Sequence, residues 1–124
     1  MMDQYEAYKK GWRLRREAHR RKRMEHKRRA WEEAERLTRV LVGEFHVHRV
    51  LLVGSLAEGK RFHWGSDIDL VVDGLQADLF FKAVGRLLRM SSFDVDLKPL
   101  DAMKPSVRAR FEEKGVVLYD EDGS

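Results

Sequence analysis

The alternation of apolar and polar positions divides the chain into a helical first third and a strand-rich remainder. From residue 3 to residue 42 there is no proline and a single glycine, Gly11, among abundant Arg, Lys, Glu, Ala and Leu. Those are good helix formers, so the pattern predicts one long helix or two in tandem. Tyr5, Tyr8 and Trp12 step by three and four at one end, and Trp31, Ala34, Leu37 and Leu41 do the same at the other. Each stripe must rest on something. Between them REAHRRKRMEHKRR is polar nearly all round, offering only Ala18 and Met24, which predicts a solvated segment or a bridge to another chain. Gly43 is the predicted stop.

Beyond it the period changes. Residues 47–53 are rich in Val and Leu, and the run LLVG is apolar on both faces, as in a strand buried within a sheet. The run ends at Gly54-Ser55, after which LAEG begins a short helix. In SDIDLVVDG the period is two, with Ile68, Leu70 and Val72 on one face and Asp67, Asp69, Val71 and Asp73 on the other. FDVDLKPL repeats the pattern, setting Phe93, Val95 and Leu97 against Asp94, Asp96 and Lys98. Residues 75–90 space Leu79, Phe80, Ala83, Val84, Leu87 and Leu88 as an amphipathic helix. Ser106 is the predicted cap of a further helix running to Lys114, Gly115 stops it, and residues 116–119 form a last strand. The order predicts an α/β (α+β) domain, a small mixed β-sheet with helices on one face, preceded by a long N-terminal helix. Its division is a basic arm over residues 1–42 and a domain over residues 43–124.

Charge sharpens that division. The net +4 over 124 residues conceals 14 Lys+Arg against 7 Asp+Glu in residues 1–40, and 11 against 14 in residues 41–124. The basicity belongs to the arm, which is read as a solvated helix or a protein contact ahead of a nucleic-acid contact, because the aromatics sit at one end and suit a packing stripe. Membrane binding is disfavoured, since the basic middle lacks a broad apolar face. There is no cysteine, which excludes disulfides and thiolate zinc sites and suits a reducing, cytoplasmic setting. The opening MMDQYEAYKK lacks the apolar core of a signal peptide.

Candidate chemistry gathers in residues 51–73 and at Asp96. Glycine at 54 lets the backbone approach a phosphate, and Ser55 offers it a hydroxyl and an amide. Lys60 and Arg61, in the loop that follows, are placed to neutralise phosphate charge, while Trp64 is read as a packing residue. Facing carboxylates repel unless a cation offsets them, and Mg²⁺ takes hard oxygen ligands while leaving places for substrate phosphates. His46, His48 and His63 lack a cysteine or HExxH companion and are read as surface histidines.

Gly54-Ser55, eleven residues, DID, then VDL resembles the nucleotidyltransferase superfamily related to DNA polymerase beta, and most of all its minimal nucleotidyltransferase domains. The resemblance spans residues 40–120, including the closing phrase GVVLYDED. It implies that Gly54 and Ser55, with Lys60, Arg61 and Ser66, hold the nucleotide, and that Asp67, Asp69 and Asp96 are the catalytic metal ligands. Asp96 would also activate the acceptor hydroxyl, with Asp94 as its substitute if the register differs. Mg²⁺ or Mn²⁺ is the implied cofactor and an NTP, ATP first, the implied substrate. One departure is Glu58, an acid where members often carry a basic residue before the glycine. The resemblance further implies transfer of a nucleoside monophosphate to a hydroxyl on a HEPN-type partner, the chain being its antitoxin. The alternatives are a non-catalytic partner-binding antitoxin, nucleotidyl transfer to a small molecule, and self-association through the arm.

Overall fold

The computed structural model describes residues 3–123, so the outermost residues of the expected arm and domain lie outside the described part. Helix α1 runs unbroken from Gln4–Phe45. The Asp3 side chain caps it, accepting from the Glu6 N–H at 2.8 Å, which satisfies one of the orphan donors of the first turn. Gly43 is not the stop: the helix passes through it and ends at His46, whose φ is 56°. The His46 N–H donates to the Val42 carbonyl at 3.2 Å and the Val47 N–H to the Leu41 carbonyl at 3.4 Å. That bonding closes the helix with a left-handed residue, a conformation histidine tolerates better than branched residues do. The extension from Gly43 brings Phe45 into the core, where Val47 also lies buried.

Strand β1 (Arg49–Val53) leads through a short helix, α2 (Gly54–Glu58), to β2 (Ile68–Asp73). A single 3₁₀ turn (Ala77–Leu79), α3 (Phe80–Met90) and β3 (Val95–Pro99) follow, then a second 3₁₀ turn (Leu100–Ala102), α4 (Pro105–Lys114) and β4 (Val116–Asp120). The amphipathic stretch therefore starts as a 3₁₀ turn, and β1 starts two residues later than its apolar run. Ser106 is not the cap of α4. Pro105 occupies the first turn after Lys104, where its missing N–H would be unpaired in any case.

The sheet order is β3-β2-β1-β4, with β2 and β3 parallel and the other pairs antiparallel. The chain thus has the expected α+β form, a long N-terminal helix followed by a four-stranded mixed sheet. Val50, Leu52, Ile68, Leu70 and Val72 point to one face, where Ala30, Ala34, Leu37 and Leu41 of α1 and Ala83 and Leu87 of α3 cover them. The second stripe of α1 therefore rests on the sheet. Burying it drives the helix onto the domain at roughly 25 cal/mol per Å² of apolar surface. The other face holds a smaller cluster of Leu51, Val53, Val71 and Leu100, closed by Met103 and by Phe111 of α4. The carboxylates of β2 and β3 lie on this second, less covered face.

Candidate active site

Pairing brings the carboxylates together. In the antiparallel pair Val53 stands opposite Asp69, and in the parallel pair Asp69 stands opposite Asp96. Asp69 is therefore flanked by the end of β1 on one side and by Asp96 on the other. Gly54 follows Val53 with φ 76°, and a Cβ there would lie 2.2 Å from Asp69 Oδ2. The positive φ favours glycine, and any Cβ at 54 would force the Asp69 carboxylate to turn from its present seat. Phosphate approach was the expected reason for this glycine. The structure adds one that involves no ligand.

Burial, then the neighbouring Asp96 and, more weakly, Asp67 push the Asp69 carboxyl up to about 6, with Lys98 acting in the opposite sense. Lys98 is the residue that alternation placed on this face without giving it a task. Its Nζ donates to Asp96 Oδ2 at 2.7 Å, and its pKa is raised by Asp96 first, then Asp69 and Asp67. It is a resident counter-cation for the cluster. Asp94 is not a member: its carbonyl accepts from the Ile68 N–H at 2.9 Å. Asp94 is not among the charges that act on Asp69, and it helps line another cavity of about 340 Å³ with His26, Arg29, Trp64, Ser66, Ser92 and Phe93.

Asp73 does not join the cluster either. It lies four residues beyond Asp69, about 13 Å along a strand, and accepts from Arg49 Nη2 at 2.7 Å and Arg108 Nη2 at 3.0 Å. Two arginines make it a structural anchor between β1, β2 and α4.

The loop from Gly59 to Asp67 connects the Gly-Ser turn to the carboxylates. Ser66 Oγ accepts from the His63 N–H at 2.9 Å, and His63 Nδ1 accepts from the Gly65 N–H at 3.1 Å. These bonds fold the loop back on itself and give Ser66 a local partner. Lys60 and Arg61 are exposed, and neither pairs with a carboxylate among the described residues. Glu58 is exposed as well. Helix α1 grips the loop at its start and in its middle. Lys27 Nζ donates to the Gly59 carbonyl at 3.2 Å, and the His26 ring lies 4.4 Å from Trp64 and 5.2 Å from Phe62. Trp64 packs, as expected, while remaining 60% exposed. The part played by His26 was not visible in the sequence, where it is one polar residue in a polar run.

Among the described residues no three His, Asp or Glu side chains already converge as a metal-binding group. The donor chemistry nevertheless fits a hard divalent cation. Three aspartates supply oxygen ligands, and the raised Asp69 carboxyl marks negative charge that Lys98 offsets only in part. Asp96 would have to exchange Lys98 for the metal.

No family model matches the chain, and no curated protein is detectably similar to it. Solved structures are. A toxin-antitoxin crystal structure with AMP-PNP aligns at 23% identity and TM-score 0.60, covering 69% of this chain and 73% of the other. The toxin-antitoxin MntA-HepT aligns at 18% identity and TM-score 0.56, over 73% and 72% of the two chains. A variant described as MntA-HpeT, with two aspartates two residues apart changed to glutamate, aligns at 20% identity and TM-score 0.57, over 69% and 72%. These likenesses show that the chain shares the α+β fold of those toxin-antitoxin structures. No helix of the described residues is long and apolar enough to cross a membrane.

Proposed function

We propose that this chain is a Mg²⁺-dependent nucleotidyltransferase that moves AMP from ATP to a hydroxyl on a HEPN-type partner protein and thereby acts as its antitoxin. The observation that carries the reading is Asp69, seated on Gly54, registered with Asp96 and pushed up to about 6 by burial and its acidic neighbours. The AMP-PNP in one similar toxin-antitoxin structure supports the choice of nucleotide class.

Asp67, Asp69 and Asp96 are the residues that would hold Mg²⁺, which when bound neutralises charge developing on the phosphates. The acceptor oxygen attacks the α-phosphorus, the bond to the bridging oxygen breaks, and pyrophosphate leaves with the electron pair. Asp96 takes the hydroxyl proton after releasing Lys98. Gly54 and Ser55, with Lys60, Arg61 and Ser66, hold the triphosphate. Most of the work is positioning and electrostatics, which is where phosphoryl-transfer enzymes obtain their rate.

Incubation with labelled ATP, Mg²⁺ and the protein encoded beside this one tests the reading. Label should appear on that protein and vanish with Asp67→Ala. An intact complex that takes no label would instead establish the partner-binding module, which the Lys98–Asp96 pair and the exposed Glu58 favour. Transfer to a small molecule would leave the label off both proteins and in a soluble product.

A further inference from the structure

The basic arm is the largest feature that the site leaves unused. Residues 4–25 of α1 contribute nothing to the buried core, and His26 is the first buried residue of the helix. At 1.5 Å per residue that is about 33 Å of unaccompanied helix. Its cations are denser and less paired than those of the body, where Lys60 and Arg61 are also without a carboxylate but several arginines are not. Arg28, Arg36, Arg49, Arg86 and Arg108 each hold a carboxylate. In residues 9–23, nine Lys and Arg face a single acid, Glu17. Among the described residues none of the nine has a carboxylate partner. Pairing begins at Glu25, where the helix meets the domain.

The aromatic stripe, which argued for packing when read in the sequence, enters no core among the described residues: Tyr5 is 64%, Tyr8 65% and Trp12 48% exposed. Instead Arg16 lies 4.6 Å from the Trp12 ring centre and Lys9 4.4 Å from that of Tyr5. That objection to a polyanion therefore falls.

We propose that residues 9–23 of α1 dock in the major groove of double-stranded DNA. Arg13, Arg16, Arg20 and Arg23 form one stripe at steps of three and four, while Lys10 with Arg21 and Arg15 with Lys22 stand on the two flanks. A protein surface would meet one face of such a helix. A groove presents phosphates on both sides, which matches a charge spread over a stripe and both flanks. Pairing with the arm of a second copy would set two strongly positive helices against each other. The B-form major groove, about 12 Å wide, admits a single helix, whereas the A-form groove of duplex RNA is deep and narrow.

The proposal is independent of the transferase reading. Fluorescence anisotropy of the full chain with a labelled 20-base-pair DNA tests it. Engagement of about six phosphates would raise Kd about 10³-fold between 50 and 200 mM salt. Changing Arg13, Arg16, Arg20 and Arg23 together to Gln should remove three to four units of the log–log salt slope, on the order of 0.9 per contact. Circular dichroism should show the helix retained. The same four positions as Lys should restore binding, and Asp67→Ala should leave it unchanged. Wild-type affinity in the Gln variant, absence of binding at 50 mM salt, or tighter binding to duplex RNA or single-stranded DNA of the same length would each overturn the proposal.

Discussion

At the residue scale, Asp69 sets the behaviour of the site. Its carboxyl titrates near 6 in the folded chain against an ordinary 3.8. The folded state therefore holds an extra proton between those values, and stability falls as pH rises through that window. In a metal chelator, Asp69→Asn should be more stable than wild type at pH 7 by about 1 kcal/mol, allowing for solvent screening. The gain should shrink to nothing as pH falls below 4, read by urea titration at each pH. A gain that grows on acidification would contradict the cause assigned to the shift. Lys98 makes a separate prediction. If its ammonium competes with metal for Asp96, Lys98→Met should tighten Mn²⁺ binding by about tenfold in a paramagnetic resonance titration; an unchanged affinity would mean that Lys98 does not compete. Alternation in FDVDLKPL was enough to place Lys98 beside the aspartates. It could not reveal the ion pair, because strand register and rotamer decide that. The same limit explains Asp73. Period two assigns a residue to a face but says nothing of its distance along the strand, and Arg49 and Arg108 arrive from elsewhere in the chain.

At the element scale, α1 is one helix whose first half is exposed and whose second half is seated on the sheet. The stripe Trp31, Ala34, Leu37 and Leu41 was legible because helical spacing and core burial coincide there. The end of the helix was not, since glycine in a helix is only mildly unfavourable and the burial of Phe45 and Val47 outweighs it. Leu37 is fully buried, so Leu37→Ala should cost about 2–5 kcal/mol of stability. Deleting residues 1–25 should change the denaturant midpoint of the remaining chain little, because none of the described side chains before His26 enters the core. A large loss on that truncation would show that the exposed segment holds the domain together. Both are measured by chemical denaturation.

At the scale of the whole molecule, charge and chemistry are kept apart. Residues 26–124 carry 16 Lys+Arg against 17 Asp+Glu, so the truncated chain should pass through a cation-exchange column at pH 7 that retains the full chain. Retention of both would place the basic surface on the domain. The fold class, the sheet's apolar faces and the pairing of two acidic strands could all be read in the sequence, because each is a periodic property. The grip of His26 and Lys27 on the Gly59–Asp67 loop could not. It joins residues more than thirty positions apart by a ring contact and one carbonyl bond, and no local pattern encodes such a contact.

The contact between Gly54 and Asp69 also has a meaning for descent. With a Cβ at 54 falling 2.2 Å from Asp69 Oδ2, the two positions form one unit of inheritance across fifteen residues. A lineage that keeps the carboxylate in this seat gains a side chain at 54 only by turning Asp69 away from it. A lineage that loses the carboxylate keeps only the demand of a positive φ, which asparagine meets more easily than other residues with a side chain. Among descendants of this chain, asparagine at 54 would therefore accompany the loss of Asp69, and glycine there would accompany its retention.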